Sequence, residues 1–185
     1  MSGHWEPMLE QVVADRYARL VARAMLLVRS RADAEDLVQD ALVSTFGGRA
    51  RFRSVEQAEQ YVRRAIVSRF IDRTRRDTVE HAALERASAR VPTAVEDPPT
   101  QGLPDELRAA LARLSPRQRA CVVLRHVDDL SVRETATLLG LSEGAVKRYV
   151  ADGVGTLNAL LGTTSHIGDD EPVRLVPTPE VRHDA

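Results

Sequence analysis

Apolar residues recur at helical spacing through roughly the first two fifths of the chain and again from 103 to 161, with an aperiodic stretch between. Leu9, Val12, Val13, Tyr17, Leu20, Val21, Ala24 and Leu27 predict a long amphipathic helix over residues 8–29. A break at 29–32 leads to Asp33, a good N-cap, with Glu35 and Asp36 in the first turn, where the helix dipole favours anions. The helix this predicts, 34–46, has two faces. Ala34, Val38, Ala41, Leu42 and Thr45 form a stripe that should be buried, and Asp36, Gln39, Asp40 and Val43 line the other side. A solvated acidic face is the plain account of those four residues. A valine set among acids is also what a protein-docking face shows.

Gly47 and Gly48 end that helix and open an arginine-rich loop containing Arg49, Arg51, Phe52 and Arg53. A third helix is predicted over 55–77. Its core stripe is Val55, Ala58, Val62, Ala65 and Ile66, and the same stripe continued meets Arg69, Arg73 and Arg76. A second track carries Arg64, Ser68 and Arg75, with Val67 and Ile71 between. Nine arginines stand against three acids between Gly47 and Arg76, so the segment is locally basic. Arginine forks on a helix face suit phosphate oxygens, and each neutralised phosphate releases counterions. An arginine-rich solvated helix is the competing account, and the adjacent Arg49, Arg51, Arg53 and Phe52 of the loop tip the balance toward nucleic acid.

Residues 79–102 lose periodicity and gather Pro92, Pro98 and Pro99, which predicts a flexible linker with room for a short helix near 82–89. The next domain starts near 103 with a stripe of Leu107, Ala110, Leu111 and Leu114. Ser115, Pro116 and Gln118 then form a capping box with proline at the first helical position. Ala120, Cys121, Val123, Leu124 and Val127 should pack inward. Ser131 and Glu134 form a second capping box, Gly140 is placed to end that helix in a left-handed conformation, and Ser142 caps the following one. Ala136, Gly140 and Val146 supply the small contact, the turn and the apolar anchor of a helix-turn-helix, whose second helix enters a DNA major groove. An ordinary helical hairpin would need the same spacing. The last segment, 162–185, is acidic, proline-bearing and without a stripe, which predicts disorder.

Composition narrows the function. The chain has 185 residues, a formal net charge of −1 and few aromatics, consistent with an all-α protein of two small helical domains. The single cysteine, Cys121, excludes an internal disulfide and makes a reduced, cytoplasmic location the expectation. No apolar run is long enough for a membrane span, and the N-terminus lacks a signal-peptide pattern. His4, His81, His126, His166 and His183 are scattered, no zinc spacing occurs, and Gly47-Gly48 lacks the lysine of a phosphate loop. An enzyme, a resident metal, a cofactor and a small-molecule substrate are therefore not expected.

Two segments carry a resemblance: DAEDLVQDALVSTF at 33–46 and LSPRQRACVVLRHVDDLSVRETATLLGLSEGAVK at 114–147. Their order and spacing resemble bacterial RNA polymerase sigma factors of the extracytoplasmic-function (ECF) group, in particular the actinobacterial subgroup related to the SigE-type factors. The resemblance implies a region-two domain at 5–78, the linker at 79–102, a region-four domain at 103–161 and the tail at 162–185. It implies core RNA polymerase and promoter DNA as partners, and the family leaves room for an anti-sigma factor. Asp36, Gln39, Asp40 and Val43 match the surface that docks on the clamp coiled coil of the polymerase β′ subunit. Arg49, Arg51, Phe52, Arg53, Tyr61, Arg64, Ser68, Arg69, Arg73, Arg75 and Arg76 match the segment that reads and melts the minus-ten element. Arg133, Ser142, Glu143, Gly144, Lys147 and Arg148 match the major-groove reader of the minus-thirty-five element.

The chain departs from the family pattern after Lys147. It continues RYVADGVGTL where a basic run is usual, so that Asp152 and Val154 stand where arginines are common. Across 131–161, Arg133, Lys147 and Arg148 are matched by Glu134, Glu143 and Asp152, which implies a weak reader with a shallow salt slope. Two competing functions follow. One is a helix-turn-helix regulator that acts without polymerase, for which the acidic helix face has no use. The other is a sigma-like interaction protein with weak DNA reading.

Overall fold

The computed structural model describes residues 5–47, 51–84 (side chains to 78) and 104–163. Arg49, most of the expected linker and nearly all of the acidic tail lie outside the described residues. Seven helices and no strand are found among the described residues, an all-α architecture. The chain divides into two compact units, Met1–Arg108 and Ala109–Ala185.

The first unit is built from α1 (Glu6–Ala24), α2 (Arg31–Phe46) and α3 (Val55–Leu84). Helix α1 ends five residues earlier than its apolar stripe. The chain leaves it through a tight turn in which Leu26 and Leu27 donate to carbonyls three residues back, and this turn keeps Met25 and Leu27 in the core. Ser30, not Asp33, caps α2. Its Oγ accepts the Asp33 N–H at 3.0 Å and donates to Asp33 Oδ2 at 2.6 Å, so Asp33 is the third-position partner of the cap. Arg31 and Glu35 add an ion pair one turn apart at 2.8 Å.

Helix α3 runs seven residues past the expected end at 77, because no glycine or proline interrupts residues 78–84. Ser54 Oγ accepts the Gln57 N–H and Gln57 Oε1 accepts the Arg53 N–H, fixing its start. The core joins Val12, Leu20, Val21 and Leu27 to Leu37, Val38 and Ala41 of α2 and to Val62, Ile66, Val67 and Phe70 of α3. Val67 is therefore a core residue rather than part of an exposed track, while Val13 stays 41% exposed.

Two charged side chains, Glu59 and Arg23, are buried among the described residues of that unit. Glu59 is buried and accepts from Arg63 at 2.5 Å, Arg16 at 3.1 Å and Arg19 at 3.4 Å, tying α1 to α3. Arg23 lies in the same region, where burial and the Arg63 charge push its guanidinium down to about 10 against the pull of Glu59.

In the second unit α5 (Pro116–His126), α6 (Val132–Leu139) and α7 (Glu143–Leu161) pack together; α4 (Asp105–Arg113) precedes them and contains the division between the units. Both expected capping boxes form, at Ser115 with Gln118 and at Ser131 with Glu134. The core contains Leu111, Leu114, Ala120, Cys121, Val123, Leu124, Ala136, Val146, Val150 and Val154. Burial pushes the Cys121 thiol up to about 11, so it behaves as a small apolar side chain.

Val127 turns outward, 46% exposed, because it is already the C-cap of α5, where the chain leaves the helix. Asp129 then takes a left-handed conformation, φ 54°, to redirect the chain into α6. Gly153 is buried where α7 meets α5: a Cβ there would lie 2.8 Å from Val122 Cγ2. Its lack of a side chain is what lets the two helices approach.

Candidate functional site

On α2 the stripe that should be buried is buried, and Asp36, Gln39, Asp40 and Val43 are exposed on the opposite side. They follow one another at i, i+3, i+4 and i+7, so they share one face. Val43 is 72% exposed, far more than an apolar side chain in a helix facing its own core. Asp40 Oδ2 accepts from Arg73 Nη2 of α3 at 2.9 Å. Both residues line a groove of about 260 Å³, together with Val43 and Ser44 from α2 and Arg69, Asp72 and Arg76 from α3.

The arginine-rich segment thus divides between two faces. Tyr61, Arg64, Ser68 and Arg75 share the side of α3 facing away from the core, with Tyr61 50% exposed. Arg69, Arg73 and Arg76 turn toward α2 and the groove. In the loop before α3, Arg51 and Arg53 are exposed. The Phe52 ring lies 5.3 Å from the buried Phe46 ring, edge-on at 66°, and 5.3 Å from Tyr61 at 58°. Phe52 is occupied by packing, and Tyr61 is the aromatic it presents to solvent.

In the second unit the helix-turn-helix is complete. Ser131 opens α6, Gly140 ends it at φ 62°, and the Ser142 Oγ accepts the Ala145 N–H to open α7. Thr135, Ala136 and Val146 are buried at the junction. Arg133, Ser142, Glu143, Gly144, Lys147 and Arg148 are all exposed, the last five within the cap and first two turns of α7. Arg148 carries its guanidinium carbon 5.8 Å from the Tyr149 ring centre. Val154 is buried, so a cation there would not face DNA.

No group of three histidine, cysteine or carboxylate side chains able to hold a metal occurs among the described residues. None of the described helices is long and apolar enough to cross a membrane.

Pattern reading passed over the Glu59 clasp and the Asp40–Arg73 pair. A signal for the first was present, since Glu59 interrupts an apolar stripe and stands four residues before Arg63. The second joins residues 33 apart and has no local signature.

A helical unit with an exposed acidic face and a basic helix, followed by a helix-turn-helix unit, defines a DNA-binding transcription protein. Sigma-70 region 2 matches residues 13–79 and Sigma-70, region 4 matches residues 105–157. The RNA polymerase sigma-E factor of Streptomyces coelicolor is 34% identical over 140 residues, covering 75% of this chain and 77% of that one. The ECF sigma factor SigM of Mycobacterium tuberculosis is 31% identical over 174 aligned positions, covering 85% and 84%. The fold matches, with a TM-score of 0.62 and 23% identity, the Bartonella quintana sigma factor RpoE crystallised with the anti-sigma factor NepR, over 83% of this chain and 96% of that one. The chain belongs to the sigma-70 family of RNA polymerase sigma factors, in its extracytoplasmic-function group. It works with core RNA polymerase and promoter DNA to direct promoter-specific transcription.

Proposed function

We propose that the two units divide the work of promoter recognition. In this reading Asp36, Gln39, Asp40 and Val43 dock on the clamp coiled coil of the polymerase β′ subunit. Three polar side chains around one exposed valine suit a mostly polar, reversible interface. Arg49, Arg51 and Arg53 of the loop and Arg64, Ser68 and Arg75 of α3 hold the minus-ten region by its phosphates. Tyr61, buttressed by Phe52, offers the stacking face that an unpaired base needs. Arg133, Ser142, Glu143, Gly144, Lys147 and Arg148 meet the minus-thirty-five element in the major groove. The protein acts in the cytoplasm, without a cofactor and not as an enzyme. A protein inhibitor of the anti-sigma type is a natural further partner.

The observation that carries the docking assignment is Val43 at 72% exposure, flanked by carboxylates on a helix whose other face is fully buried. Asp36→Arg with Asp40→Arg should abolish binding to core polymerase while leaving the helical circular dichroism unchanged. Unchanged core binding sinks the assignment. Multi-round transcription with core polymerase then tests the whole reading: promoter-specific transcripts support it, and core binding without them favours a polymerase-holding protein. The three cations and three anions of 131–161 make α7 a poor autonomous reader, which argues against a regulator working without polymerase.

A further inference from the structure

We infer that Arg69, Arg73 and Arg76 belong to the polymerase-docking surface rather than to the promoter surface, and that they receive carboxylates from the same polymerase element that Asp36 and Asp40 meet through basic groups. The inference rests on the docking reading of α2 and extends it across the groove onto α3.

Four observations carry it. Residues 69, 73 and 76 recur at i, i+4 and i+7 and so form one row, and they line the groove together with Asp40 and Val43. The Tyr61, Arg64, Ser68 and Arg75 track lies roughly a third of a turn away around α3, at 100° per residue, so one duplex lying along that track does not reach the groove squarely. The groove interleaves three arginines with Asp40 and Asp72, and Asp36 stands nearby on the same α2 face. A polyanion gains little from such a surface, because every phosphate brought to an arginine also approaches a carboxylate. A protein helix bearing both signs of charge gains from every position, and Val43 supplies the apolar contact at its edge.

The fourth observation is the Asp40–Arg73 pair itself. Both partners are partly exposed, and an ion pair in that setting contributes little net stability, so it exchanges readily. In the free chain each group of the pair keeps the other in place. On docking, Asp40 is passed to a partner cation and Arg73 to a partner carboxylate, with no net loss of ion pairs. Arg73 thus pre-positions Asp40 for the polymerase.

The test separates core binding from DNA binding. The full-length chain carrying Arg69→Glu and Arg76→Glu is titrated with core RNA polymerase in the absence of DNA. Holoenzyme assembled at saturating core is then titrated with fork-junction DNA bearing a minus-ten element. Core affinity should fall about tenfold or more, while fork affinity of the assembled holoenzyme changes by about twofold or less. Unchanged core affinity, or an equal loss in both titrations, overturns the inference. If the glutamate variant loses its helical signal, Arg69→Gln with Arg76→Gln keeps part of the side-chain stems and is read by the same two titrations. A reciprocal variant, Asp40→Arg with Arg73→Asp, restores the internal pair with its polarity reversed and should still fail to bind core. Recovery of core binding there counts against the exchange. Asp36→Arg lies outside the groove. If it leaves core binding intact, the docking reading itself fails. If it abolishes binding while the Arg69 and Arg76 variant binds normally, only the present inference fails.

Discussion

Glu59 and Arg63 face each other one turn apart at 2.5 Å, and the carboxylate they share with Arg16 and Arg19 is buried between α1 and α3. The bridges from Arg16 and Arg19 of α1 to this carboxylate fix the first turns of α3, the part that carries Tyr61, to the rest of its unit. Removing the charge leaves Arg16, Arg19 and Arg63, all partly exposed, gathered around one point with no anion between them. Glu59→Gln should therefore cost about 1–3 kcal/mol, since the carboxylate is buried but its arginine partners keep partial contact with water. Urea unfolding followed at 222 nm measures it, and a loss within the range of ordinary surface substitutions would show that the clasp adds nothing.

The two glycines of α7 should respond in opposite directions to the same substitution. Gly155 has open space around it, and Gly155→Ala should stabilise the second unit by about 1 kcal/mol through helix propensity. Gly153→Ala drives a methyl against Val122 Cγ2, and overpacking of this kind costs about 1–3 kcal/mol, more than the propensity gain. Thermal melts of the two variants decide it. Combining Gly153→Ala with Val122→Ala should recover part of the loss, since the added methyl then enters space vacated by the valine.

Tyr61 should act in strand opening through its ring. Tyr61→Ala removes a stacking surface worth about 1–3 kcal/mol per base, while Tyr61→Phe keeps it. Permanganate reactivity of unpaired thymines in the open complex should fall strongly for alanine and little for phenylalanine. Equal losses in both variants would mean that the hydroxyl, not the ring, is the working part. Phe52→Ala should weaken opening and also lower stability, because Phe52 packs between Phe46 and Tyr61.

His126 gives the second unit an acid-sensitive component. Burial, and then the Arg125 charge, hold its imidazole below the ordinary value, with Asp129 opposing. The unfolded chain therefore takes up the proton first as the solution is acidified, so stability is lost as pH falls below the unfolded value near 6.5. Urea midpoints taken from about pH 7.5 down to about pH 5.5 should drop more for the native chain than for His126→Gln. Parallel curves would remove His126 from the account.

The local signals in this chain were almost all readable in one dimension. The capping boxes at Ser115 and Ser131, the left-handed Gly140 and the two faces of α2 each depend on residues within about two turns of one another, and each appears where its spacing places it. Two helix ends carry no such signal. Apolar periodicity continues through the turn after α1, and α3 continues until something stops it, so neither boundary has a local marker.

Sequence alone determined the all-α class, the helix-turn-helix and the order of the parts, because helical period, caps and turn residues are local physics. Only the packed structure decided which arginines share a face with which acids. Arg73 meets Asp40 across 33 residues, Glu59 gathers arginines from two helices, and Gly153 is the contact point between α5 and α7. Such pairings follow from how α1, α2 and α3, and separately α5 and α7, lie against one another. Burial of the apolar stripes sets that arrangement, and the long charged side chains then find the partners it brings within reach.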